Sequence, residues 1–198
     1  MSQATSLYLH RELSADGIEM TLAVNHLAPF LLTNLLLEPL RASPAGRVVN
    51  VASMAHQRAR LDLDDLQNAR RYSGFGAYGQ SKLAEVLFTY ELARRLKGTA
   101  VTANALHPGF VASNFALNNG GLVAALYKPL SKLMAISPAA GAKTSIYLAS
   151  SPEVAGVTGG YFDKRRAVRS NPQSYDEDLA RRLWDRSAEL THFTDGLG

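Results

Sequence analysis

An α/β fold around a parallel sheet is what this sequence predicts, and three observations lead to it. Helical patterns alternate with short β-branched runs along the chain. Glycine or proline turns bound those runs, and the stretches between them are long enough to carry the helical crossovers that parallel strands need. The first helix spans Asp16 to about Leu40, where Met20, Val24, Leu27, Leu31 and Leu35 recur at three- and four-residue spacing. Further apolar residues lie on its other sides, so burial on more than one face is expected. Ser43 to Gly46 is turn chemistry, and Arg47 to Ala52 follows as a buried strand that ends near Ser53. A polar loop with Asp62, Asp64 and Asp65 leads to a second helix, Phe75 to Leu96, closed by Lys97 and Gly98. Val101 to Leu106 is the second strand, stopped by His107-Pro108-Gly109. After a mixed segment, Pro138 to Ala149 is a helix with proline in its first turn, and Gly159 to Phe162 is a short third strand. Ser174 and Glu177 read as a capping box ahead of a last helix carrying Leu179, Leu183 and Trp184.

Composition narrows the class of protein. The chain has 198 residues, 46% hydrophobic and 19% charged, which suits one globular domain over its whole length. Its longest apolar stretch, Leu27 to Leu37, is broken by Pro29, Thr33 and Asn34 and falls short of the roughly 20 residues of a membrane span. Met1 to His10 lacks the pattern of a secretory signal, so a soluble, cytoplasmic protein is expected. The absence of cysteine excludes disulfides, thiolate nucleophiles and cysteine-held metals. The net charge of +4 comes partly from Arg94, Arg95 and Lys97 and from Lys164, Arg165, Arg166 and Arg169. These lie at a helix end and in a loop without interleaved aromatics, so a solvated face is expected and no nucleic-acid partner. Asp62, Asp64 and Asp65 lack the glycine and glutamate of a calcium loop, and His26, His56 and His107 lack ligand spacing. No metal site is expected.

Four residues could carry chemistry. Tyr78 and Lys82 stand four apart, one turn along the same helical face. An ammonium beside a phenol stabilises the phenolate and draws its pKa down from about 10, as a proton donor and acceptor requires. The same spacing also serves an ordinary surface pair. Ser53 sits just past the carboxyl end of a buried strand, where ligands gather in open α/β sheets, although in isolation a serine there reads first as a cap or turn residue. Asn25 is a polar amide in an apolar helix with Pro29 four residues on. Proline offers no N–H, so the Asn25 carbonyl loses its helical partner and a kink is expected. Either a solvated kink or a water site feeding a proton relay fits that pattern.

Val24-Asn25-His26-Leu27, Arg47-Val-Val-Asn-Val-Ala-Ser53, Tyr78-Gly-Gln-Ser-Lys82 and His107-Pro-Gly109, in this order and spacing, resemble the short-chain dehydrogenase/reductase family. Gln80-Ser-Lys-Leu-Ala-Glu-Val-Leu-Phe-Thr89 and Asn104-Ala-Leu-His-Pro-Gly109 look most like its retinol dehydrogenase and WW-domain-containing oxidoreductase branch. The family-like part runs from Leu13 to Phe162, preceded by a lead-in over residues 1–12 and followed by a basic loop and terminal helix over 163–198. The resemblance implies the carboxyl-terminal part of a Rossmann-like, doubly wound sheet, with about three strands and flanking helices. It implies NAD or NADP as cofactor and an apolar alcohol or carbonyl as substrate. Tyr78 would be the acid/base, Lys82 would lower its pKa and hold the nicotinamide ribose, Ser53 would orient the substrate oxygen, and Asn25 would place a relay water. Pro108, Gly109, Val111 and Ser113 would shape the nicotinamide end, and Leu117 to Ile136 would either close over an apolar ligand or pack as a core helix.

The family's Thr-Gly-x-x-x-Gly-x-Gly turn, the residue that selects between the two cofactors, and its Asn-Asn-Ala-Gly turn have no counterpart here. The expectation is therefore a chain lacking the nucleotide-binding strands, with weak dinucleotide affinity and Arg47 to Ala52 left as a self-associating sheet edge. Homo-oligomers through helices 16–40 and 75–96 are a further expectation. The alternative to an oxidoreductase is a catalytically inactive remnant that acts as an interaction module.

Overall fold

The computed structural model describes residues 5–109 and 136–194. Three parallel strands form its centre: β1 (Arg47–Val51), β2 (Thr102–His107) and β3 (Tyr161–Asp163), with Arg47 opposite Thr102 and Ala105 opposite Tyr161. A fourth, β4 (Arg166–Ala167), pairs antiparallel with β3, giving the order β1-β2-β3-β4. Side chains alternate between the faces, as the two-residue period of a strand requires. Val48, Ala103, Ala105 and Tyr161 turn toward α4 (Gly74–Arg95). Val49, Val51, Leu106 and Phe162 instead pack with Leu148 of α5 (Pro138–Ser150). With helices on both faces the sheet is doubly wound, which is why its strands read as continuous apolar runs.

β4 was not expected. Lys164 and Arg165 both have positive φ, 48° and 65°, the conformation of a two-residue type I′ hairpin turn. The basic loop is thus the exposed tip of a hairpin, consistent with a solvated face. β1 has no strand beyond it among the described residues, as expected of an edge.

The first helix differs from the continuous one predicted over 16–40. Gly17, at φ 75°, turns the chain, and Glu19 caps the helix by accepting from the Thr21 and Leu22 N–H groups, both at 2.8 Å. Helix α1 (Met20–Leu22) runs into a π-turn, Ala23–Leu27, and then α2 (Ala28–Leu35) and α3 (Leu37–Ala42). The missing N–H of Pro29 is met by a wider turn rather than by a simple kink: the Ala28 N–H reaches the carbonyl of Ala23, five residues back.

The last helix, α6 (Glu177–Leu190), corrects the expected capping box. Asp176, not Ser174, is its cap, accepting from the Leu179 N–H at 3.0 Å. Ser174 belongs to a separate 3-10 turn, Pro172–Tyr175, and its hydroxyl bonds Ser170 and the Asn171 carbonyl. Asp176→Ala is expected to cost about 0.5–2 kcal/mol in urea unfolding, and Asp176→Asn much less, because asparagine caps nearly as well.

Helix α4 is buried along its length from Ala77 to Ala93, enclosed by the sheet, the π-turn and α6. The expectation that 75–96 forms part of an oligomer interface is corrected on that ground, since its own chain covers it. Leu32, Leu35 and Leu36 of the first helix do remain exposed. None of the described helices is long and apolar enough to cross a membrane.

Candidate active site

The side chains singled out from the sequence gather where the carboxyl end of β1 meets the first turns of α4. Ser73 caps α4 through the Gly76 N–H. Gly74 has to be glycine, because a Cβ there would lie 2.5 Å from the Tyr8 carbonyl oxygen and 2.8 Å from Leu9 Cα. That close approach brings the segment before the first helix against α4, where Leu7 packs on Tyr78.

Lys82 follows Tyr78 by one turn and is fully buried. Its ammonium has three protons to donate. They go to the Val51 carbonyl at 2.9 Å, to Glu85 Oε2 at 2.9 Å and to Thr5 Oγ1 at 3.2 Å. The lysine thus spans from α4 to the end of β1 instead of lying on the surface.

Ser53 stands two residues past β1 with extended backbone. Its Oγ accepts from the Ala55 N–H at 3.3 Å, capping a 3-10 turn, Met54–Arg58. Of its two readings the structure supports the cap directly. The cap engages a lone pair and not the hydroxyl proton.

Asn25 lies inside the π-turn, wholly buried. Its Oδ1 accepts from the Ser6 N–H at 2.7 Å, while Nδ2 donates to the Ser6 carbonyl at 2.9 Å and to Ser81 Oγ at 3.0 Å. Ser81 Oγ in turn donates to the Tyr78 carbonyl at 2.8 Å. The amide therefore ties three segments together: the stretch around Ser6, the first helix and the turn of α4 that bears Tyr78.

His107 ends β2, and Pro108 and Gly109 follow. Gly109 has φ 88°, a conformation that disfavours any side chain, and a Cβ would come within 2.6 Å of Ile136 Cδ1. Val111, Ser113 and all of the Leu117–Ile136 segment except Ile136 lie outside the described residues.

Two groups were not expected to matter. Glu85 is buried against Lys82, and its pKa is pushed up to about 7 by burial, against the opposing pull of the ammonium. An acid three residues after Lys82 in an otherwise apolar stretch was a usable signal. His56, in the turn capped by Ser53, packs against Tyr161 with ring centroids 4.6 Å apart and the rings tilted by 55°. His56 Nε2, His107 Nδ1 and the Tyr161 hydroxyl are buried without a hydrogen-bond partner among the described residues. Burial lowers the pKa of both imidazoles, so both stay neutral near pH 7. His26 sits deeper, its pKa lowered to about 3 by burial, and its Nε2 meets Ser187 Oγ at 2.7 Å in a purely structural contact.

The residues present fit one end of a nicotinamide dinucleotide. The longest bond of the Lys82 ammonium goes to the hydroxyl of an exposed residue, Thr5, and a ribose hydroxyl offers the same acceptor chemistry. The pyrophosphate end is different: no described strand leads through a glycine-rich turn into a helix N-terminus.

A model of the short chain dehydrogenase family matches residues 5–120. Human retinol dehydrogenase 13 is 46% identical over 180 residues, covering 88% of this chain and 54% of the relative. Human retinol dehydrogenase 14 is 48% identical over 176 residues, covering 87% and 52%. The chain thus spans about half the length of the curated relatives it matches. Among solved structures, a protein from Mycobacterium Paratuberculosis superposes with a TM-score of 0.74 at 33% identity, over 96% of this chain and 65% of that one. The angucycline C-6 ketoreductase LanV, solved with bound NADP, gives 0.59 at 25% identity, over 82% and 58%. Matched over more than half its length by the family model, and sharing nearly half of its aligned residues with these relatives, the chain belongs to the short-chain dehydrogenase family, in the branch that resembles the retinol dehydrogenases.

Proposed function

We propose that the protein is an oxidoreductase that interconverts an alcohol and a carbonyl on an apolar substrate with NAD or NADP. The observation that carries this reading is the buried Lys82 ammonium, one helical turn from Tyr78 and anchored to the last carbonyl of β1, two residues before Ser53. A bound nicotinamide dinucleotide would supply or accept the hydride. In the oxidative direction Tyr78 takes the hydroxyl proton at its phenolic oxygen as the carbinol C–H bond breaks and the carbonyl forms. In the reductive direction it gives that proton back. Lys82 keeps the phenolate accessible and would exchange its bond to Thr5 for one to the ribose. The Ser53 hydroxyl proton would hold the substrate oxygen beside Tyr78, while Asn25 fixes the helix turn from which Tyr78 projects. Pro108 and Gly109 would border the nicotinamide, with Val111 and Ser113 beyond them.

The relatives named as retinol dehydrogenases suggest retinol as the first substrate to try. Turnover by the full-length protein, followed by reduced-nicotinamide absorbance with retinol and shorter apolar alcohols, is expected with at least one of NAD and NADP. Loss of the signal on substituting Ser53→Ala would support the site assignment. Absence of turnover in both directions, with both cofactors and every substrate, would overturn the reading.

A further inference from the structure

Glu85 has no part in the proton transfer described above, yet it occupies one of the three donor positions of Lys82. The two side chains are in contact at 2.9 Å, with relative exposures of 0% and 1%. Burying an ion pair this completely is costly, and removing one partner from such a pair is costlier than never having formed it. A carboxylate here also works against the lysine's proposed task, because its negative charge offsets the ammonium that stabilises the Tyr78 phenolate.

From this geometry we infer that Glu85 is a positioning residue: it holds the Lys82 ammonium at the end of β1 and, through it, sets the pH at which Tyr78 exchanges its proton. The inference rests on the function proposed above. Ionisable groups on the elements packed against α4 are Arg47 and His107 on the strands, His26 in the π-turn, Glu19 ahead of α1, His56, Arg58 and Tyr175 in the 3-10 turns, and the charged residues of α6. None of them contributes to the shift of Glu85; burial and Lys82 do. Among the described residues the carboxyl is therefore paired with the lysine alone. Its other anchor to the fold is on the backbone, where the Glu85 carbonyl accepts from Thr89 Oγ1 at 2.7 Å and Thr89 Oγ1 in turn accepts from Asn50 of β1 at 2.9 Å. A change at the carboxyl therefore leaves that anchor in place.

The sign follows from charge. Ionised Glu85 makes every nearby proton harder to remove, so neutralising it should let Tyr78 ionise at lower pH. Glu85→Gln keeps the size of the side chain and an acceptor for Lys82. In the full-length protein, with the tyrosine ζ-carbons labelled and the Tyr78 signal assigned by its loss in Tyr78→Phe, the variant should titrate Tyr78 about one pH unit lower, the size expected for one buried charge two helical turns, about 10 Å, away at intermediate dielectric. Glu85→Asp, which retains the charge, should restore most of the parental value. If Glu85→Gln does not fold, the unmodified protein still decides: the Tyr78 signal should show a small step at the pH where the labelled Glu85 δ-carbon titrates, and the lack of such a step would overturn the inference. So would an unmoved or raised titration in a folded Glu85→Gln. The two proposals fail separately. A shifted titration in a protein without dinucleotide-dependent turnover keeps the positioning role and removes the enzyme. Turnover whose pH profile ignores Glu85→Gln, together with an unmoved Tyr78 titration, keeps the enzyme and removes the positioning role.

Discussion

Replacing Tyr78 by phenylalanine is expected to lower turnover about 100- to 10,000-fold, the range general acid/base groups contribute, with the fold left intact. The ring is largely buried and packs on Leu7, and phenylalanine preserves that packing while removing only the oxygen. Unchanged unfolding by denaturant, combined with the drop in kcat, identifies a chemical role. Near-parental kcat would remove Tyr78 from the mechanism. Lys82→Met is less clean, because Lys82 also joins α4 to β1 through Val51, and its loss would strand Glu85 in the interior.

The largest stability effect is expected at Phe30. It is fully buried in an aromatic cluster, with Trp184 at 5.0 Å, Phe88 at 5.4 Å and Phe193 at 6.2 Å between ring centroids. The cluster joins three helices: Phe30 comes from α2, Phe88 from α4 and Trp184 from α6. Phe30→Ala should cost about 3–5 kcal/mol, the transfer energy of the ring plus the cavity left behind. Leu35→Ala, on the same helix but 63% exposed, should change stability by less than about 0.5 kcal/mol. Denaturant midpoints of the two variants check the contrast. Similar losses for both would mean that something covers Leu35 in solution.

Most of the sheet was legible because buried parallel strands have a local signature. Arg47–Val51 and Thr102–His107 are short β-branched or small-residue runs between turns, and both form strands within a residue of where the pattern places them. β4 was hidden, since it has two residues and is specified by a turn whose lysine and arginine adopt a conformation usually given to glycine or asparagine. The Ser174 cap failed for a related reason. Asp176 lies two residues further on and also precedes the helical pattern, and only the 3-10 turn between them decides which one caps. At the site, spacing put Tyr78 and Lys82 on one helical face, but it took the resemblance of the surrounding blocks to give them a paired role. What spacing could not convey is that the lysine turns inward to the Val51 carbonyl, or that Asn25 spends its amide on Ser6 and Ser81. Those contacts join residues 19, 31 and 56 positions apart.

The π-turn makes the first helix sensitive to how many residues it contains as well as to which ones. Each residue of an α-helix advances the side-chain direction by about 100°, and the wide turn at Ala23–Leu27 takes in one residue more than the regular ladder would. Before it, the helix is oriented by the Glu19 cap; after it, by Phe30 in the aromatic cluster. Deleting Ala23 or Val24 would let the segment relax into an ordinary helix whose two ends could no longer both face their partners, even though every remaining contact residue was unchanged. Asn25 would swing away from Ser6 and Ser81 with whichever end gave way. The address of the amide is thus written as a count, and a one-residue deletion in a stretch of plain aliphatic sequence would damage the site more than most substitutions there.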